Sequence, residues 1–104
     1  MRKLEQYYKE LLKLPFPKNP LNEIFSELYA DLVLLDSTYI GLAQKALTDK
    51  KIKVSDINDI LKLELDFQKV QDIPKDEKYI FEEMKYRLRL LKLMGQEISI
   101  RDSK

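Results

Sequence analysis

Apolar residues recur along this chain at intervals of three and four residues, the period of one face of an α-helix. The first run is Leu4, Tyr7, Tyr8, Leu11 and Leu12. It predicts a helix over Arg2–Leu14 that ends before Pro15, because proline disfavours helical geometry in the residue preceding it. This period constrains the fold more than any other feature of the sequence.

The second predicted helix is long. Asn19 is a suitable N-cap, Pro20 fits the first helical position, and the pattern continues to about Lys50. One apolar stripe holds Leu21, Phe25, Leu28, Leu32, Leu35, Tyr39, Leu42, Ala43 and Ala46. A second stripe, offset by about 100°, holds Tyr29, Val33, Ile40 and Leu47. Two stripes indicate that this helix contacts more than one neighbour.

The third predicted helix begins at Ser55, a favourable N-cap. Its apolar side continues through Val70. We expect it to end by Asp72 or Ile73, because Pro74 follows.

The fourth helix is predicted to start near Lys75 or Asp76 and to run to about Glu97. The remaining tail, residues 98–104, is expected to be irregular and frayed. A short strand formed by this tail against residues 52–54 is the alternative, because both segments alternate briefly between apolar and polar residues.

Composition supports an all-α fold. The chain has 18 Leu but only 3 Val, and it has 2 Gly and 4 Pro, which is few turn residues for a β architecture. With 104 residues it fits a single helical domain over residues 1–104. Short connections favour antiparallel neighbours, so we predict a four-helix up-down bundle with a long second helix and a short irregular C-terminal tail.

Several classes of chemistry are excluded by residue type. The chain has no Cys and no His, which removes disulfides, thiolate metal sites and the usual general base at neutral pH. A serine-type triad is excluded for the same reason. Any metal site would use oxygen ligands and hold Mg²⁺, Mn²⁺ or Ca²⁺.

Charge and hydropathy restrict the partners. A net charge of +1 gives no support for nucleic-acid binding. The longest uncharged stretch, Ser37–Gln44, is far shorter than the ~20 residues of a membrane span. Because charges also interrupt the N-terminal residues, no signal peptide is visible, and a cytoplasmic location is expected.

Helices two and four carry more apolar surface than a single-chain bundle needs. The predicted first helix is also too short to cover the second along its whole length. We therefore expect a partner to bury the excess, first of all a second copy in a homodimer. The predicted contact residues are Tyr29, Val33, Ile40, Leu47, Tyr86, Leu90 and Leu93. The alternative is that helix two is central and fully buried within the chain.

Three charged residues, Asp36, Glu64 and Arg87, interrupt the apolar faces. An isolated buried charge is very costly, so we expect Arg87 to pair with Asp36 or Glu64 inside the bundle. Its guanidinium can bind a carboxylate through two hydrogen bonds. We interpret the cluster as structural, with two alternatives: it binds a small polar ligand, or Arg87 extends its head to water.

Carboxylate spacing indicates an alternative function. Glu23, Glu27 and Asp31 share one helix face, and Asp56 and Asp59 form D-x-x-D. Acids on facing helices can hold Mg²⁺ for nucleotide hydrolysis, which resembles in outline the all-α nucleoside triphosphate pyrophosphohydrolases with their E-x-x-E and E-x-x-D helices. The spacing here is E-x-x-x-E with no E-x-x-D after it, so no residue role is carried over. Solvated helix faces and first-turn acids are the competing interpretation.

The sequence thus predicts a small non-enzymatic protein-interaction module without a cofactor or metal, of the adaptor, regulator, chaperone-like or immunity type. It would bind itself or a partner helix through an apolar helix face. A Mg²⁺-dependent nucleotide- or small-ligand-binding protein is the alternative. The composition, rich in Lys and Ile and without His, Cys or Trp, is typical of small bacterial or phage proteins.

Overall fold

The computed structural model describes residues 2–48 and 57–102. These ranges hold four helices: α1 (Arg2–Lys13), α2 (Glu23–Leu47), α3 (Asn58–Gln68) and α4 (Lys78–Asp102), with a 3₁₀ turn at Lys75–Glu77 directly before α4. Neither described range contains a β-strand. The predicted all-α four-helix bundle is confirmed.

The two long helices form the centre of the bundle. α2 and α4, 25 residues each, pack against one another, and α1 and α3 flank them. Both short helices contact both long ones, whereas α1 and α3 do not contact each other within the described ranges. This arrangement explains the two apolar stripes of α2 and the broad apolar face of α4, because each long helix has three neighbours.

Aromatic stacking fixes one end of this arrangement. The Phe81 ring near the start of α4 lies 5.2 Å from Phe25 of α2 and 5.4 Å from Phe67 of α3, with near-parallel planes in both pairs. All three rings are buried. Phe25 lies in the first turn of α2 and Phe67 lies in the last turn of α3. Because both contact Phe81, these two helices run in opposite directions.

A glycine permits close packing at the other end. A Cβ atom placed on Gly95 of α4 would lie 3.0 Å from Ile57 and 3.1 Å from the Tyr39 ring. These distances are tighter than most contacts of real Cβ atoms, so a side chain at position 95 would require Ile57 and the Tyr39 ring to shift by a few tenths of an ångström. The start of α3 therefore faces the second half of α4, and the up-down order follows.

The start of α2 differs from the prediction. The N-cap is Asn22 rather than Asn19, and its side-chain oxygen accepts hydrogen bonds from the amides of Ile24 and Phe25 at 3.0 and 3.3 Å. Pro20 is therefore not the first helical residue; it is buried in the connection before the helix. Asn22 is as good a cap as Asn19, so local preference alone did not decide between them.

A carboxylate distant in sequence supports the start of α2 at Asn22. Glu77, in the 3₁₀ turn before α4, accepts hydrogen bonds from the amides of Leu21 and Asn22 at 2.7 and 3.1 Å. Its side chain is buried against the start of α2. The carboxylate thus satisfies two amides that have no partner within the helix and joins the entrances of α2 and α4.

The ends of α3 and α4 also differ from the prediction. α3 ends at Gln68 rather than near Asp72, and the predicted cap at Ser55 lies outside the described residues. The predicted irregular tail was wrong for residues 98–102, because α4 continues through Asp102. Ile98 is fully buried, and this burial extends the helix past the predicted end at Glu97.

We predict that Glu77→Ala destabilises the protein by about 1–3 kcal/mol, because it leaves two amides at the entrance of α2 without their acceptor. The measurement is the free energy of unfolding from urea titration. Glu83→Ala is the matched control, since Glu83 is an exposed acid on the same part of the chain. Equal stability of the two variants would show that the Glu77 carboxylate does not hold this junction.

Candidate functional site

A buried ion pair joins the two central helices. Arg87 of α4 donates from Nε to Asp36 Oδ1 at 2.7 Å and from Nη2 to Asp36 Oδ2 at 3.3 Å. Both residues are buried. The side-by-side geometry matches the paired hydrogen bonds that a guanidinium can make to a carboxylate.

The same guanidinium reaches two further groups. Arg87 Nη1 donates to the Leu14 carbonyl just beyond α1 at 3.3 Å, and the guanidinium carbon lies 4.7 Å from the Phe16 ring centre. Arg87 therefore joins α4, α2, the end of α1 and the following loop. No buried side-chain nitrogen or oxygen in the described ranges lacks a hydrogen-bond partner, which favours the structural interpretation over a ligand site.

Glu64 lies apart from this pair. Its carboxylate oxygens are 3.2 Å from the Lys92 ammonium, and both side chains remain about one-third exposed. The structure therefore brings Asp36 and Arg87 together, whereas Glu64 belongs to the surface between α3 and α4.

The predicted contact stripe on α2 is partly covered within the chain. The Tyr29 ring packs edge-to-face against Phe16 at 5.3 Å, so the loop after α1 covers this position. Ile40 and Leu47 are half-buried, and only Val33 is exposed, at 41%. This stripe therefore offers little free apolar surface.

The three predicted contact residues on α4 differ in their exposure to solvent. Leu90 is 4% exposed, so its assignment to a contact surface was wrong. It follows one turn after Tyr86, whose hydroxyl donates to Glu10 of α1, and α1 packs along this side of α4. Tyr86 is 47% exposed and Leu93 is half-buried, and both line a cleft between α3 and α4.

The hydrogen bond to Glu10 raises the pKa of the Tyr86 phenol above its ordinary value of 10. Burial and the Glu10 charge act in the same direction, and the Arg89 charge acts against them. The phenol stays neutral at physiological pH, and its ring is held at the edge of the cleft.

The cleft has a volume of about 860 Å³ and runs along α3, the loop after it and α4. Its apolar lining consists of Phe67, Val70, Ile73, Phe81, Leu88 and Leu93, with Tyr86 at the edge. Polar and charged side chains border these apolar residues along the cleft. A surface of this kind is suited to binding the apolar face of a ligand.

Charged residues form the rim of the cleft. Lys85 lies 3.5 Å from Glu82, and Lys92 pairs with Glu64. Arg89 also lines the cleft, is exposed, and forms no ion pair within the described ranges. Arg89 was not among the predicted contact residues, although its spacing places it on the same helix face as Tyr86 and Leu93.

The acids considered for Mg²⁺ binding do not converge. Three of them lie on the exposed side of α2: Glu23, Glu27 and Asp31. Asp59 accepts a hydrogen bond from the Tyr39 hydroxyl at 2.8 Å, and Asp56 lies outside the described residues. Across residues 2–48 and 57–102, no three acids are grouped so as to hold a metal ion.

Comparison with protein-family models, with curated proteins and with solved structures finds no match for this chain. Within the described ranges, none of the helices combines the length and the apolar character needed to cross a bilayer. The assignment of the cleft between α3 and α4 as the candidate binding site therefore rests on its geometry and its side-chain chemistry.

We predict that Arg87→Met destabilises the protein by about 3–5 kcal/mol, because it leaves the Asp36 carboxylate buried without a counter-charge. Adding Asp36→Leu to that variant should restore most of the loss, since no buried charge then remains. The measurement is urea unfolding, and Arg89→Met on the exposed side of α4 is the control. Unchanged stability of the Arg87→Met variant would show that Arg87 is not an essential pairing partner.

Proposed function

We propose that this protein is a non-enzymatic interaction module that binds an amphipathic helix of another protein in the cleft between α3 and α4. One observation supports the proposal: an open cleft with apolar residues at its floor has on its rim an exposed tyrosine and an arginine that forms no ion pair with the described residues. Tyrosine and arginine are enriched among residues that dominate binding energy.

The apolar part of the cleft supports a helical ligand. Two packed helices leave a groove parallel to their axes, and an amphipathic helix can lay its apolar face into such a groove. The floor is formed by Phe67, Phe81 and Leu88, which are buried in the core of the free protein. A pre-formed floor lowers the entropy that binding has to overcome.

The charges on the rim of the cleft indicate which charge the bound helix should have beside its apolar face. Glu82 and Glu64 already neutralise Lys85 and Lys92, so Arg89 remains as the unmatched cation. A carboxylate on the bound helix can meet Arg89 through two hydrogen bonds. We therefore assign to the partner an apolar face bordered by acidic residues.

A homodimer has less support than the sequence suggests. Phe16 covers Tyr29, and Leu90 is buried within the chain, so much of the apolar excess is already used. The remaining exposed residue of the predicted α2 stripe, Val33, lies away from the cleft. Another protein is the better candidate for the occupant.

The proposal can be tested with two synthetic helical peptides of about 18 residues, or roughly five turns. Both carry the same leucine face, one bordered by glutamates and the other by lysines. We expect saturable binding of the Glu-bordered peptide by calorimetry, with amide NMR shifts concentrated along α3 and α4. Tyr86→Ala should weaken this binding by about thirtyfold or more, since a buried aromatic anchor contributes about 2 kcal/mol or more.

Tyr79→Ala is the matched control, because Tyr79 is similarly exposed on α4 but does not line the cleft. It should change the affinity by less than about twofold, as expected for a surface substitution away from the contact. Equal losses in the two variants, or no saturable binding of the Glu-bordered peptide, would contradict the proposed site.

A further inference from the structure

A second groove lies on the other side of α3, between α3 and α2. It consists of two adjoining clefts of about 510 and 280 Å³ that share Asp31 and Asp66. We propose that this groove binds a basic amphipathic helix of a partner protein. It is a separate site from the cleft between α3 and α4, and it selects the opposite charge.

Exposed apolar side chains provide the hydrophobic contact. Ile24 and Leu34 on α2 are 62% and 68% exposed, and both line the groove. Leu28 and Leu63 are buried beneath them and form its floor. Since Ile24 and Leu34 are ten residues apart, about 15 Å along a helix, they can contact a ligand helix at points roughly three turns apart.

The charges along the groove are predominantly negative. Five carboxylates and two lysines line it: Glu27, Asp31, Asp59, Asp66, Asp72, Lys62 and Lys69. None of these seven side chains forms an ion pair within the described ranges. The excess of three negative charges surrounding exposed leucine and isoleucine is complementary to a helix with an apolar face and a lysine- or arginine-rich border.

The arrangement of the acids argues against a cation site. They are distributed over both helices and the loop after α3, and the described residues contain no group of three that could hold a metal ion. A row of acids along a groove is suited to a row of basic side chains on an elongated ligand. A partner helix satisfies the apolar and the charged features together.

We expect each groove to bind only one of the two peptides. The Lys-bordered peptide should bind between α2 and α3, with amide NMR shifts at Ile24 and Leu34, and its affinity should fall as salt rises. Reversing two acids with Asp31→Lys and Asp66→Lys should weaken that peptide by about tenfold, or roughly 1.4 kcal/mol. The same double variant should leave the Glu-bordered peptide and its dependence on Tyr86 unaffected.

The matched control is the pair Asp76→Lys and Glu83→Lys, which makes the same change in net charge at exposed acids outside the groove. Leu34→Ser and Leu12→Ser form a second pair, because both leucines are more than half exposed but only Leu34 lines the groove. Equal weakening by the two charge variants would show that the peptide is attracted by net charge alone, and it would contradict binding in this groove. Failure of the Lys-bordered peptide to bind would overturn this site while leaving the first cleft standing.

Discussion

The buried pair between Arg87 and Asp36 determines how the rest of this bundle is arranged. Net stabilisation by such a pair is small, because desolvation offsets most of the attraction between the charges. Its effect is to fix the position of α4 against α2, since breaking the pair or shifting it by one residue leaves a charge buried alone. The further contacts to the Leu14 carbonyl and Phe16 make the same guanidinium hold the end of α1.

The surfaces available for binding follow from that arrangement. The loop after α1 covers Tyr29 of α2, and Leu90 of α4 is buried within the chain. α3 packs on α2 and α4 without reaching α1, and it leaves one groove on each side of its own axis. The rim toward α4 includes an unmatched arginine, whereas the rim toward α2 is acidic. A short helix of 11 residues thus separates two surfaces of different charge.

Helical period and proline positions were sufficient to predict four helices and their order. Arg87 and Asp36 could be singled out because a charge on an apolar face has few alternatives to pairing. The choice of Asn22 over Asn19 could not be predicted, because it depends on Glu77, which is 55 residues from Asn22 in sequence.

The binding surfaces were harder to predict than the fold. A helical pattern shows that Tyr86, Leu90 and Leu93 share a face of α4. It does not show that Leu90 is buried within the chain while Tyr86 and Leu93 line a cleft. The acidic groove was missed since it combines residues such as Asp31 and Asp66 from two helices. Separate helical patterns do not reveal such a combination.

The central claim is that the apolar stripes predicted for self-association are largely covered within one chain, so that the open grooves on either side of α3 remain for other proteins. Light scattering after size-exclusion chromatography, over concentrations from micromolar to millimolar, tests this most directly. We expect a constant mass of 12.4 kDa, that of one chain. A dimer mass that persists on dilution would contradict it and would show that the surface excess is buried between two copies.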